Sequence, residues 1–199
     1  MMLRIGLTGG IASGKSTVSD WLRNNHFPLV DADRIAREVV APGEPGLQKI
    51  VEAFGRRILL EDGSLDRAQL GELIFHHEDL RQSLNSIIHP LIRSRMRKQL
   101  ETFEKEGAPV VFLDVPLFFE GSFEGWTDKT IVVYVTESNQ LRRLMARNNL
   151  TEAEAMARIK SQMPLEEKKK RASAVINNNG TIRESEDQLI RILKQWGIK

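Results

Sequence analysis

One glycine-rich stretch near the start of the chain constrains its fold more than anything else in it. Gly9-Gly10-Ile11-Ala12-Ser13-Gly14-Lys15-Ser16-Thr17 satisfies the pattern G-x-x-x-x-G-K-[ST] in full. An apolar run over residues 3–8 precedes it, and Val18, Trp21 and Leu22 follow at helical spacing, so the loop joins a predicted strand to a predicted helix. In that setting the backbone N–H groups form an anion nest, and the helix beginning near Gly14 adds the positive end of its dipole. Glycine is needed where φ is positive or where a side chain would block a phosphate oxygen. Gly10, Ile11, Ala12, Ser13 and Gly14 are therefore expected to line a nucleotide's phosphates. Lys15 should reach the β- and γ-phosphates, Ser16 should ligate Mg²⁺, and Thr17 should bond the α-phosphate. The plain alternative is a glycine-rich turn with an incidental lysine. Against it, four of the fourteen glycines fall within the first fourteen residues.

Residues 27–31, 109–115 and 130–135 read as three further buried strands, and residues 174–176 as a fifth. Helical pattern separates them, which favours an α/β fold with a parallel sheet and crossover helices. The interval 35–106 contains no convincing strand. It reads as helices broken at Pro42-Gly43-Glu44-Pro45-Gly46, at Glu61-Asp62-Gly63-Ser64 and at His89-Pro90, the last marking a helix start. At about seventy residues this is far more than a crossover requires, so it is expected to be an inserted helical subdomain covering a bound substrate. A second helical region, 138–171, is interrupted near Asn148-Asn149 and Pro164, and an amphipathic helix runs from 184 to 196. The expected division is a core of 1–34, 107–137 and 172–199, a helical subdomain of 35–106, and a lid of 138–171.

Composition narrows the function classes. With 199 residues and 41% hydrophobic content the chain can bury one sizeable core. The absence of cysteine excludes a disulfide scaffold, a thiolate metal site and a thiol nucleophile. No apolar run approaches the ~18 residues of a membrane span, and the apolar start is too short for a signal segment, so a cytoplasmic protein without membrane contact is expected. The net charge of +2 conceals an asymmetry: residues 137–171 hold nine Lys/Arg against five Glu, and the remainder is slightly acidic. A basic lid over such a body suits a small polyanion rather than a nucleic acid.

Residues outside the loop decide which phosphate chemistry is meant. No Asn-Lys-x-Asp stretch follows a strand, and no Asp-x-x-Gly switch follows the third one, as a GTPase would require. Asp114 instead ends the run Val110-Val111-Phe112-Leu113, where a carboxylate at the sheet's carboxyl edge reaches Mg²⁺ or its water shell. Asp31-Ala32-Asp33 ends the second strand on the same edge. Asp33 can orient and deprotonate an attacking hydroxyl, while a helix N-cap is the bland role for either carboxylate. Arg143 and Arg147 stand at i and i+4 on one helix face, where their guanidinium forks can close over the γ-phosphate; a solvated basic face is the alternative. His76-His77 reads as exposed helix surface, His89 could reach a phosphate, and Lys168-Lys169-Lys170-Arg171 after Glu166-Glu167 reads as a salt-bridged helix face. Three scattered tryptophans give no base-stacking platform.

Taken together these motifs resemble the dephospho-CoA kinase family over nearly the whole chain. The resemblance rests on residues 7–17, Asp31-Ala32-Asp33 with Ile35-Ala36, Gly43-Glu44-Pro45-Gly46, Leu65-Asp66-Arg67 and His89-Pro90-Leu91-Ile92. It continues through Asp114-Val115-Pro116-Leu117-Phe118-Phe119-Glu120, Gln140 with Arg143 and Arg147, and Val175-Ile176-Asn177-Asn178-Asn179-Gly180. It implies a three-layer P-loop kinase fold with a five-stranded parallel sheet, a helical CoA-binding domain and a lid. The implied reaction moves the ATP γ-phosphoryl group to the ribose 3′-hydroxyl of dephospho-CoA, with Mg²⁺ as cofactor. Asp33 is then the general base, with Lys15 and Arg143 catalytic beside it. Arg147 is a lid residue, and Asn178 lies in the loop that approaches adenine. Asp31, Asp33, His89, Asp114 and Phe118 are expected at the acceptor, and Ser16 and Asp114 at the metal. Many members have aspartate where this chain has Asn177, so no charge-dependent role falls there. The expected partners are the two small-molecule substrates, the protein being a monomer or weak homo-oligomer. A kinase of nucleoside monophosphates or sugar acids is the near rival, and a nucleotide-dependent switch the distant one.

Overall fold

The computed structural model describes residues 1–75 and 77–198; His76 lies outside the described residues. Two compact units result, residues 1–31 with 103–199 and residues 32–102.

The first unit is built on five parallel strands: β1 (Leu3–Gly9), β2 (Leu29–Asp31), β3 (Val110–Asp114), β4 (Lys129–Tyr134) and β5 (Ala174–Asn177), in the order β2-β3-β1-β4-β5. Each strand lies within about two residues of its expected place. β3 reads as an apolar run closed by Asp114, and β1 is buried from Ile5 to Gly9, because central parallel strands are covered on both faces. Helices α1 (Lys15–Asn24) and α9 (Ile182–Gln195) bring Val18, Leu22, Leu189, Ile192 and Leu193 onto Ile5, Leu7, Phe112, Ile131 and Val133. Between β4 and β5 run α6 (Glu137–Asn148), α7 (Glu152–Lys160) and α8 (Leu165–Arg171). Asn149, left-handed at φ 50°, ends α6, and Thr151 opens α7 with a reciprocal capping box to Glu154.

The second unit is helical. It contains α2 (Ala32–Glu38), α3 (Pro45–Phe54), α4 (Arg67–Phe75) and most of α5 (Glu78–Lys105), with Ile35, Val39, Ile50, Ile58, Leu70, Leu84, Met96 and Leu100 buried. One expectation fails here: His89-Pro90 does not open a helix but lies in the middle of α5. Proline forfeits one helical hydrogen bond and crowds the preceding turn. Leu84, Met96 and Leu100 are buried on both sides of it, so packing holds the helix through the defect. His77 is exposed and stands just before α5 rather than on a helix face.

Candidate active site

The phosphate loop leaves β1 at Gly9, turns through Ala12 at φ 57° and Gly14 at φ 85°, and enters α1 at Lys15. A left-handed alanine is uncommon and persists only where its surroundings hold it. At Gly14 a Cβ would sit 2.0 Å from Asn178 Nδ2, so only glycine fits. The loop's own bond from Ser13 N–H to Gly10 O, 3.1 Å, closes its first turn.

Lys15 donates from Nζ to Asp114 Oδ1, and Ser19, one turn further along α1, donates to Asp114 Oδ2 at 2.5 Å. Asp114 is 3% exposed and both of its oxygens are engaged, yet a carboxylate retains lone pairs for another partner. β2 pairs with β3 so that Asp31 stands opposite Asp114, and Arg23 reaches the Asp31 carboxylate at 2.5 Å. Two strand-end carboxylates thus stand side by side at the sheet's carboxyl edge, the position for a ligand in this architecture. Ser16 is exposed at the start of α1.

Arg143 of α6 is half-buried and donates from Nη2 to Asn178 O at 2.8 Å, which brings it to the rim of the loop near Gly14. Arg147, one turn on, does not join it: it is exposed and donates to Asn148 Oδ1. Asn178 is 5% exposed and its side chain is committed, Nδ2 to Ser13 O at 2.8 Å and Oδ1 accepting from Ser185 at 2.7 Å. Its amide braces the loop. Phe118 requires a correction. Its side chain is fully buried, and its ring lies over Gly6 of β1, where a Cβ would meet Cε2 at 2.6 Å; the residue packs against the sheet rather than lining an acceptor site. Asp33, in the first turn of α2, and His89, midway along α5, belong to the second unit, and both are exposed there.

The basic run 168–171 conceals a residue that reading it as a solvated face missed. Lys168 is fully buried: Nζ pairs with Glu120 at 2.8 Å and donates to Gly9 O at 3.0 Å and Pro116 O at 3.4 Å. The available signal is its i+3 spacing from the buried Leu165, which puts both on one face of α8. Gln140 and Gln162 likewise hold the two sides of Ile11, at 2.8 Å to its carbonyl and 2.8 Å to its N–H.

Chemically, this is a preformed anion nest with a cation beside it, a buried carboxylate behind that cation and an arginine at the rim. Such a set neutralises charge on a phosphoryl group in transfer. A family model described as Dephospho-CoA kinase matches residues 3–184. A dephospho-CoA kinase of Bacillus cereus is 55% identical over 198 residues, covering 100% of this chain and 99% of the relative. One of Geobacillus kaustophilus is 55% identical over 196 residues, 98% of each. The solved structure of the dephospho-CoA kinase from Campylobacter jejuni superposes with a TM-score of 0.75 at 30% identity, covering 98% of both chains.

Proposed function

The chain belongs to the dephospho-CoA kinase family, and from that premise we propose that it transfers the γ-phosphoryl group of ATP to the ribose 3′-hydroxyl of dephospho-CoA, giving coenzyme A and ADP. The observation that carries this reading is the meeting of Lys15 with Asp114 at the mouth of a braced phosphate loop.

In this reading the loop amides and Lys15 hold the β- and γ-phosphates, and Arg143 spreads the charge that develops on the transferring group. Arg147 joins it when segment 138–171 acts as a lid. Asp33 orients the acceptor hydroxyl and takes its proton. An ordinary carboxylate suffices, because the loose transition state asks for little proton abstraction until late. Asp31 and His89 contribute to holding the acceptor.

The donor set fits Mg²⁺: the Ser16 hydroxyl and the Asp114 carboxylate are hard oxygen ligands. Among the described residues no cluster of three or more His, Cys, Asp or Glu could cage an ion by itself. An ion taken mainly through substrate phosphates and water needs no such cluster. Held there by the Ser16 hydroxyl and the Asp114 carboxylate, Mg²⁺ would neutralise charge on the phosphate oxygens. ATP as donor assigns the reaction to the cytoplasm, and among the described residues no helix is long and apolar enough to cross a membrane.

Incubation with Mg-ATP and dephospho-CoA, followed by identification of the product, tests the reading. Formation of 3′-phosphorylated coenzyme A is expected. Phosphorylation of a nucleoside monophosphate or sugar acid in its place would overturn it.

A further inference from the structure

Nine polar or charged residues are buried among the described residues, and all but Thr8 and Thr130 belong to the phosphate loop or to the side chains that support it. Burying such groups is unfavourable unless each is hydrogen-bonded, so their convergence on one loop is a constraint on that loop's shape. Three of them come from different places in the chain and donate to alternate carbonyls. Lys168 Nζ of α8 donates to Gly9 O at 3.0 Å, Gln140 Nε2 of α6 to Ile11 O at 2.8 Å, and Asn178 Nδ2, just beyond β5, to Ser13 O at 2.8 Å.

A trans peptide places its carbonyl oxygen and the following amide hydrogen on opposite sides, and the described chain has no cis bond. Holding the carbonyls of Gly9, Ile11 and Ser13 outward therefore turns the amides of Gly10, Ala12 and Gly14 the other way. The donor on each carbonyl also polarises its peptide and strengthens the amide as a donor. Ala12 and Gly14, both at positive φ, are the residues whose backbone most needs holding. The Asn178 amide cannot turn over without losing Ser185, which donates to Oδ1 at 2.7 Å. Lys168 does a second thing: its three N–H donors are matched by three acceptors, so it also ties the loop to Pro116 and Glu120, in the segment that follows Asp114.

We propose that Lys168, Gln140 and Asn178 form an outer ring of positioning residues that presets the loop's amides for phosphate, acting through the loop carbonyls and not on the substrate. The inference rests on reading this loop as the ATP site, and its test is independent of the acceptor.

Dissociation constants for Mg-ATP and for inorganic pyrophosphate are measured on the wild-type chain, Lys168→Met, Gln140→Met and, as control, Lys170→Met at an exposed position of the same helix, together with melting temperatures. Each ring variant is expected to weaken both ligands by about tenfold, the effect of one well-placed hydrogen bond, and the control neither. Lys168→Met removes the cation that pairs with Glu120, whose carboxylate is partly open to solvent and keeps its bond from Met163 N–H. The double variant Lys168→Met/Glu120→Met, which also removes the unpaired carboxylate, is expected to bind both ligands as weakly as Lys168→Met, whatever its melting temperature. Affinities within about twofold of wild type in either ring variant, whatever the melting temperature, would overturn the proposal. Should Lys168→Met not fold, Gln140→Met alone decides by the same criterion. A wild-type chain that binds Mg-ATP yet leaves dephospho-CoA unphosphorylated would sink the acceptor assignment without touching this result.

Discussion

Lys15, the first residue of α1, and Asp114, the last residue of β3, form an ion pair in which the carboxylate is 4% and the lysine 17% exposed. The pair ties the phosphate loop that follows β1 to the carboxyl end of β3. A loop lysine with a buried counter-charge is held in place before any phosphate arrives, which is the preorganisation phosphoryl transfer depends on.

Lys15→Met should lower kcat by about 10²–10³-fold, the loss typical of removing one donor to developing charge. It also leaves Asp114 buried without its partner, so thermal unfolding should move down. Asp114→Asn in the same background should recover much of the melting temperature and none of the turnover. Steady-state kinetics and melting curves on the two variants check this; kcat recovery in the double variant would contradict it.

If Asp33 is the base proposed above, Asp33→Asn should reduce kcat by about a hundredfold or more while leaving ATP affinity near wild type. Near-normal turnover would remove Asp33 as the base.

Arg143→Ala should act mainly on rate, by about a hundredfold, with a smaller change in ATP KM. Because Arg143 also donates to Asn178 O, Arg143→Lys should retain some of the rate. Unchanged kinetics in Arg143→Ala would return this arginine to a solvated face.

Gly6→Ala should destabilise by about 1–3 kcal/mol, because its Cβ would press on the buried Phe118 ring. Phe118→Leu, which removes that edge, should relieve part of the cost and leave the acceptor KM unchanged. A raised acceptor KM in Phe118→Leu alone would reinstate the ring as a substrate contact.

Glu184 accepts from Thr181 N–H and Oγ–H at the start of α9, and these bonds hold its carboxyl below the ordinary 4.5; Glu154 is lowered likewise by Thr151 on α7. The folded value lies below the unfolded one, so the stabilisation is present above the ordinary range and is lost as pH falls through the folded value. Glu184→Gln should therefore melt below wild type near pH 7, with the gap narrowing as pH falls below the ordinary carboxylate range. A gap that stays constant with pH would show that the charge plays no part.

Much of this molecule is legible along the chain. The phosphate loop, the five strands and the carboxylates at their ends follow from residues adjacent in sequence, because a strand's apolar run and a glycine turn are local consequences of backbone sterics and burial. The interruption at Asn148-Asn149 was equally local. Pro90 misled because its local penalty is real; burial of Leu84, Met96 and Leu100 outweighs it, and burial is not a local property.

Only the tertiary structure decided the strand order, the companions of each candidate site residue and the fate of the basic run. Lys168 looks like its neighbours in sequence, yet it alone of the four is buried, and it reaches Gly9 across 159 positions. Asn178, expected near a base, spends its amide on the loop instead, and Arg143 parts from Arg147 although they share a helix face. Sequence spacing specifies which groups lie on a surface; which surfaces meet depends on how the sheet and helices pack, and those contacts form between segments far apart in the chain.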